Sequence, residues 1–283
     1  TLSIITKAIL RLSRKPESIK TLLGIYENLD QASASVAEVI GSGIIPAAME
    51  IMDDLAIKAA EPAVNAGYPE NAGAVLLVEI EGLSEAVEEE AIEIEKVMAN
   101  HKPIEIRTAK NDDDRAKLWA GRKGALGALG RLAPNYYLID GTIPPSKLVE
   151  AMGKIKEISA EYDIPIANVL HAGDGNLHPA ILFDERNKKE TRLAFEMGGK
   201  ILTLCVDMGG ALSGEHGIGI EKREYMPYMF TEDDLNSMTT LKRVFDPKSL
   251  LNPGKIFPDE SETTKDSSFQ NTAVSSTGTK AYI

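Results

Sequence analysis

The chain has 283 residues, 43% hydrophobic and 26% charged, enough apolar material for a buried core in one or two domains. Its formal net charge of −12 excludes the basic patch that nucleic acid or an anionic membrane surface would need. The single Cys205 excludes an internal disulfide, no apolar run approaches the roughly 20 residues of a membrane span, and no signal peptide is visible, so the expected setting is cytoplasmic.

Residues 1–12 are rich in β-branched side chains and read as a strand, with 13–16 as a linker. Residues 21–26 form a short apolar strand, and Asp30 can cap a helix to about residue 40 that Gly41 and Gly43 end. Residues 46–52 alternate as a strand, with Glu50 between Met49 and Ile51. Asp53 and Asp54 then open a helix to about residue 65. The strongest strand signal is 74–80; Ser84 caps a long acidic helix to about 100, and 104–107 supply a fourth strand. This order predicts an α+β domain with the split βαβ signature of a ferredoxin-like sheet, helices on one face.

Asn111 can cap a helix from 112 to about 129 that carries Trp119 and Arg122, three residues apart and so on one face. On pattern alone they read as a packing Trp beside a surface Arg. Residues 136–140 form a strand leading into a turn, and Pro144 and Pro145 start a helix over 146–162. Strands over 164–170 and 177–183 follow, then a helix over 188–208. Residues 209–219 hold five glycines in eleven positions, suited to a backbone threading past a ligand. Helices over 221–229 and 233–244 make a C-terminal helical segment. The last residues, rich in Ser, Thr and Lys without periodicity, read as a disordered tail.

Three of the four histidines fall in two short loops, His171-Ala-Gly-Asp-Gly-Asn-Leu-His178 and Gly214-Glu215-His216-Gly217. Gly173, Asp174, Gly175 and Asn176 are turn residues, because Gly, Asn and Asp tolerate positive φ. A hairpin there brings His171 and His178 to one point. With Glu215 arriving from the other loop they would form a two-His, one-carboxylate site for Zn, Mn or Fe, leaving coordination positions open. The alternative is a pair of hydrogen-bonded turn histidines.

These two segments, with residues 245–255 (Phe245-Asp-Pro to Asn252-Pro-Gly-Lys), resemble the C-terminal part of FAD-linked oxidases of the vanillyl-alcohol oxidase superfamily. Within it the chain is most similar to the group of glycolate oxidase flavoprotein subunits and D-lactate dehydrogenases. The resemblance divides the chain into residues 1–16, a remnant strand and linker of the FAD-binding domain; 17–258, a substrate and cap domain; and 259–283, the tail. It implies that the main FAD-binding domain, with its Gly-rich pyrophosphate loop, precedes residue 1. His171, His178 and Glu215 match the divalent-metal ligands, His216 the active-site histidine, and Arg122 the arginine holding the substrate carboxylate. Asn252 matches the segment returning to the flavin. Members acting on longer dicarboxylates carry a polar residue two places after the second histidine, where this chain has Ala180, which favours a small monocarboxylate such as glycolate or D-lactate.

The resemblance therefore implies oxidation of a small 2-hydroxy acid to the 2-oxo acid, with FAD and a divalent metal as cofactors. Arg122 would clamp the carboxylate, His216 would take the hydroxyl proton, and flavin would accept hydride. An iron–sulfur electron-acceptor subunit is the implied protein partner. Two other readings stand beside it: a metal-dependent hydrolase using the same three ligands on water, and a catalytically silent fragment.

Overall fold

The computed structural model describes residues 2–69 and 71–258; the expected tail from residue 259 lies outside the described residues. Contacts divide the chain into two units, Leu10–Glu215 and a second made of Thr1–Ile9 with His216–Ile283.

In the larger unit, strand β1 (Ser18–Tyr26) leads into helix α1 (Leu29–Gly41), β2 (Ala48–Asp53) into α2 (Asp54–Val64), and β3 (Ala74–Gly82) into α3 (Ser84–Asn100). Strand β4 (Glu105–Thr108) then precedes α4 (Asp112–Ala128). The first four strands pair antiparallel in the order β4-β1-β3-β2, which is the ferredoxin-like order predicted, with α2 as an extra helix between β2 and β3. Helix starts follow their caps: the side chains of Asn28, Asp53 and Asn111 accept hydrogen bonds from backbone N–H groups in the first turns of α1, α2 and α4. Two expected caps shift. Asn28 rather than Asp30 caps α1, and α3 begins after Leu83 with no side-chain cap, so Ser84 is inside the helix.

Helices cover both faces of the sheet rather than one. Leu23 and Ile25 of β1, Met52 of β2 and Val75 and Leu77 of β3 pack with Ala56, Ile57 and Ala60 of α2 and Leu118 and Ala125 of α4. The alternate residues face the other way, where the Tyr26 hydroxyl pairs with Ser35 of α1 and the Met98 side chain of α3 crosses Gly24. Burial on both faces is why β3 reads as a continuous apolar run instead of a clean alternation.

The sheet continues through β5 (Asn135–Leu138), β6 (Gly141–Thr142), α5 (Leu148–Tyr162), β7 (Ile166–His171), β8 (Asn176–Leu177), β9 (Pro179–Phe183) and α6 (Lys188–Asp207). Strand β7 pairs with β2, extending the ferredoxin-like core. The single strand expected over 177–183 is interrupted at His178: β8 pairs with β6 and β7, whereas β9 pairs with β5 and β7.

Residues 2–16 carry no strand, so the remnant strand expected there is absent from the described residues. No described strand pairs with them, and without a ladder partner an extended segment leaves its apolar side chains outside: Ile4 is 74% and Ile9 91% exposed. The second unit contains α7 (Met226–Met229) and α8 (Glu232–Phe245), the latter opened by a capping box between Thr231 and Asp234. Among the described residues no helix is long and apolar enough to cross a membrane.

Candidate metal centre

The centre is built at the join between β2, β7 and β8. His171 ends β7 directly opposite Glu50 of β2 and opposite Asn176 of β8. Cross-strand partners project from the same face, so the His171 ring meets the Glu50 carboxylate, Nδ1 to Oε1 at 2.9 Å. The turn between β7 and β8 needs its glycine: Gly175 has φ +69°, and a Cβ there would lie 2.0 Å from the Ile143 carbonyl oxygen. His178 falls at the strand break and is 3% exposed. Its ring meets that of His171 edge-on, with centroids 5.1 Å apart.

Glu215 reaches the same point from the second glycine-rich loop. Its Oε1 is 3.2 Å from His178 Nε2 and 3.7 Å from His171 Nε2. Asp140 fixes this loop. Its fully buried carboxylate accepts from the Ser213 hydroxyl at 2.6 Å and from the backbone N–H groups of Gly214 and Glu215, both at 3.1 Å. Gly214 lets the loop pass, because a Cβ there would stand 2.3 Å from the Asn176 side chain. A cavity of about 300 Å³ opens beside the three groups, lined by Thr142, His171, Asp174, Asn176, Gly214 and Glu215.

The spacing of these ligand atoms suits a divalent ion. Bonds of about 2.0–2.2 Å in a tetrahedron put neighbouring ligand atoms about 3.3–3.6 Å apart, and His171, His178 and Glu215 each offer an atom within 4.8 Å of the others. The hydrogen bond that the His171 ring donates to Glu50 raises the His171 pKa above its ordinary value, against the opposing effect of burial.

The FAD linked oxidases, C-terminal domain family matches residues 15–256. The chain belongs to this family. Glycolate oxidase subunit GlcD of Escherichia coli (strain K12) is 43% identical over 91% of this chain and 52% of its own length. The D-lactate dehydrogenase of Archaeoglobus fulgidus is 32% identical over 90% of this chain and 55% of its own. The chain thus spans about half the length of the curated relatives it matches. Among solved structures, 4-ethylphenol oxidase from Gulosibacter chungangensis superposes with a TM-score of 0.64 at 16% identity, covering 88% of this chain and 56% of that one. P-cresol methylhydroxylase does so with a TM-score of 0.63 at 14% identity, covering 86% and 53%. At those identities the likeness is one of fold.

Within this family member, the residues expected to act are distributed unevenly. His171, His178 and Glu215 come together. Arg122 lies one layer behind them, 8% exposed, with Nε 3.0 Å and Nη2 2.8 Å from Glu50 Oε2. It is buried and paired, not the surface arginine that the residue pattern describes. Trp119 turns elsewhere and donates to Glu79 Oε2 at 2.6 Å. Ala180 is fully buried, paired with Leu138 and Ala167 in a small apolar cluster. His216 and Asn252 belong to the second unit and are both exposed; Asn252 sits in a turn after α8 with φ +50°, a conformation asparagine tolerates. Glu50, Asp140 and Asn176 are the site residues that sequence reasoning passes over.

Proposed function

We propose that the chain is the substrate- and metal-binding part of a flavin-dependent oxidoreductase that oxidises a small 2-hydroxy acid, glycolate or D-lactate, to the 2-oxo acid. The observation that carries this is the convergence of His171, His178 and Glu215 beside a cavity of small-ligand size, in a chain whose relatives are named glycolate oxidase subunit and D-lactate dehydrogenase.

Held by those three residues, a Zn, Mn or Fe ion would supply Lewis-acid polarisation of a 2-hydroxy acid, and FAD would supply the hydride acceptor. The chain's own residues do the rest. His171 and His178 offer imidazole nitrogens and Glu215 a carboxylate oxygen, three donors that leave room for a chelating substrate. Asn176 and Thr142 give the cavity wall uncharged polar groups, suited to orienting a hydroxyl and carboxylate. His216 is the candidate base for the hydroxyl proton. For FAD itself this chain offers Asn252 alone by resemblance, and we assign the pyrophosphate to a further domain. None of the turns leading from β1, β2, β3 or β4 into the following helix is glycine-rich, as a pyrophosphate loop would be. The word subunit in the name of the glycolate oxidase relative supports an assembly partner, read here as an iron–sulfur electron acceptor, in a cytoplasmic setting.

The test is anaerobic addition of glycolate or D-lactate to the flavin-loaded full-length protein. The flavin should bleach with one of the two acids, and His178→Ala should abolish the bleaching. Bleaching that is equal in His178→Ala would remove the metal site from the reaction, and no bleaching with either acid would defeat the substrate assignment.

A further inference from the structure

Glu50 is a carboxylate 7% exposed in the middle of a sheet, a placement that has to be offset by hydrogen bonds and an opposite charge. Its two oxygens divide the work. Oε2 takes Nε and Nη2 of Arg122, at 3.0 and 2.8 Å, and Oε1 takes Nδ1 of His171, at 2.9 Å. An ionised carboxylate only accepts hydrogen bonds, so the nitrogen facing it must carry a hydrogen. A neutral His171 is thereby fixed with its proton on Nδ1 and its lone pair on Nε2, the atom that faces Glu215 Oε1. The ring plane is fixed as well, because the β2–β7 register sets where Glu50 stands. Arg122 is held in turn by its position on α4, between the buried Leu118 and Ala125 one turn either side.

We propose that Glu50 and Arg122 are a positioning pair: Glu50 selects the tautomer and orientation in which His171 presents Nε2 to a divalent ion, and Arg122 holds the Glu50 carboxylate in place. This rests on the reading that His171, His178 and Glu215 bind a metal, and it gives Arg122 a role toward His171 through Glu50, which engages its Nε and Nη2. Outer partners of this kind commonly change metal affinity by about 10–100-fold when removed.

Two measurements test the pair without recourse to turnover. In metal-free protein with nitrogen-labelled histidine, at alkaline pH where imidazoles are neutral, the His171 signal should show its proton on Nδ1; the signal is assigned by its loss in His171→Gln. In Glu50→Gln the amide oxygen has to face the donors of Arg122, which turns its N–H toward His171 and should move the ring proton to Nε2. A wild-type proton on Nε2 would overturn the proposal. In competition titrations with Zn²⁺, Glu50→Gln and Arg122→Met should each bind about 10–100-fold more weakly than wild type. Unchanged affinity in Glu50→Gln would refute the pair, and unchanged affinity in Arg122→Met alone would remove Arg122 from it. Failure of the wild type itself to bind Zn²⁺ would instead defeat the metal reading while the tautomer result still judges Glu50. Circular dichroism controls for folding, and Glu50→Asp, which keeps the charge but shortens the reach, replaces Glu50→Gln should the latter fail to fold.

Discussion

Glu215 and His216 are neighbours in sequence with different assignments, and their substitution separates them. Glu215 Oε1 lies 3.2 Å from His178 Nε2 and is counted as a ligand atom; His216 is counted as the base. In the flavin-loaded full-length protein, His216→Asn should lower kcat by about 10²–10⁴, the usual size of general-base assistance, while metal content stays near wild type. Glu215→Gln should lose metal. Steady-state kinetics and elemental analysis on the same preparations check both, and a His216→Asn protein that is empty of metal or fully active would reverse the two assignments. Asp140 matters at this scale because three donors from Ser213, Gly214 and Glu215 converge on one buried carboxylate. A buried acceptor that organises a loop is worth more than its single hydrogen bonds, since its loss leaves several N–H groups without a partner.

At the scale of elements, the end of α8 shows how a carboxylate can tie a helix to the turn after it. Asp246 takes the Lys242 ammonium at 2.9 Å and the backbone N–H groups of Leu250 and Leu251 at 2.8 and 2.9 Å, while Lys242 also reaches the Leu251 carbonyl at 2.7 Å. The Lys242 contact foremost holds the Asp246 carboxyl down at about 2, below its ordinary 3.8. A depressed carboxyl contributes stability that is present above the unfolded pKa and lost as pH falls through the folded one. Asp246→Asn should therefore melt below wild type at neutral pH, and the difference should shrink between about pH 4 and pH 2. Thermal melts of both proteins across that range decide it; a constant difference would mean that the ionised carboxylate is not what stabilises the turn.

The same elements show what the sequence could and could not disclose. The four-strand ferredoxin-like order and the two histidines were legible, because helix caps, apolar runs and a glycine turn are local signals. The approach of Glu215 to the histidines was legible through the glycine-rich loop around it. Glu50 was not. In residues 46–52 it falls in the polar phase of an alternating strand, which normally means solvent, but α2 and α4 cover that face and bury it. Its partners Arg122 and His171 are 72 and 121 residues away, brought to it by the packing of α4 and by the register of β2 with β7. Helices on both faces, the strand break at His178 and the absence of a strand over residues 2–16 share this origin, for each is decided by which segments become neighbours.

For the molecule as a whole, the chain belongs to the C-terminal domain family of FAD linked oxidases and spans about half the length of its curated relatives. The central claim is that this chain holds the metal. X-ray absorption at the metal edge of Zn²⁺-loaded protein, repeated on His178→Ala, is the most direct measurement. The account predicts two imidazole nitrogens and a carboxylate oxygen at about 2.0–2.2 Å in the wild type, with one imidazole lost in the variant. A first shell of oxygen alone, or an unchanged spectrum in His178→Ala, would contradict it.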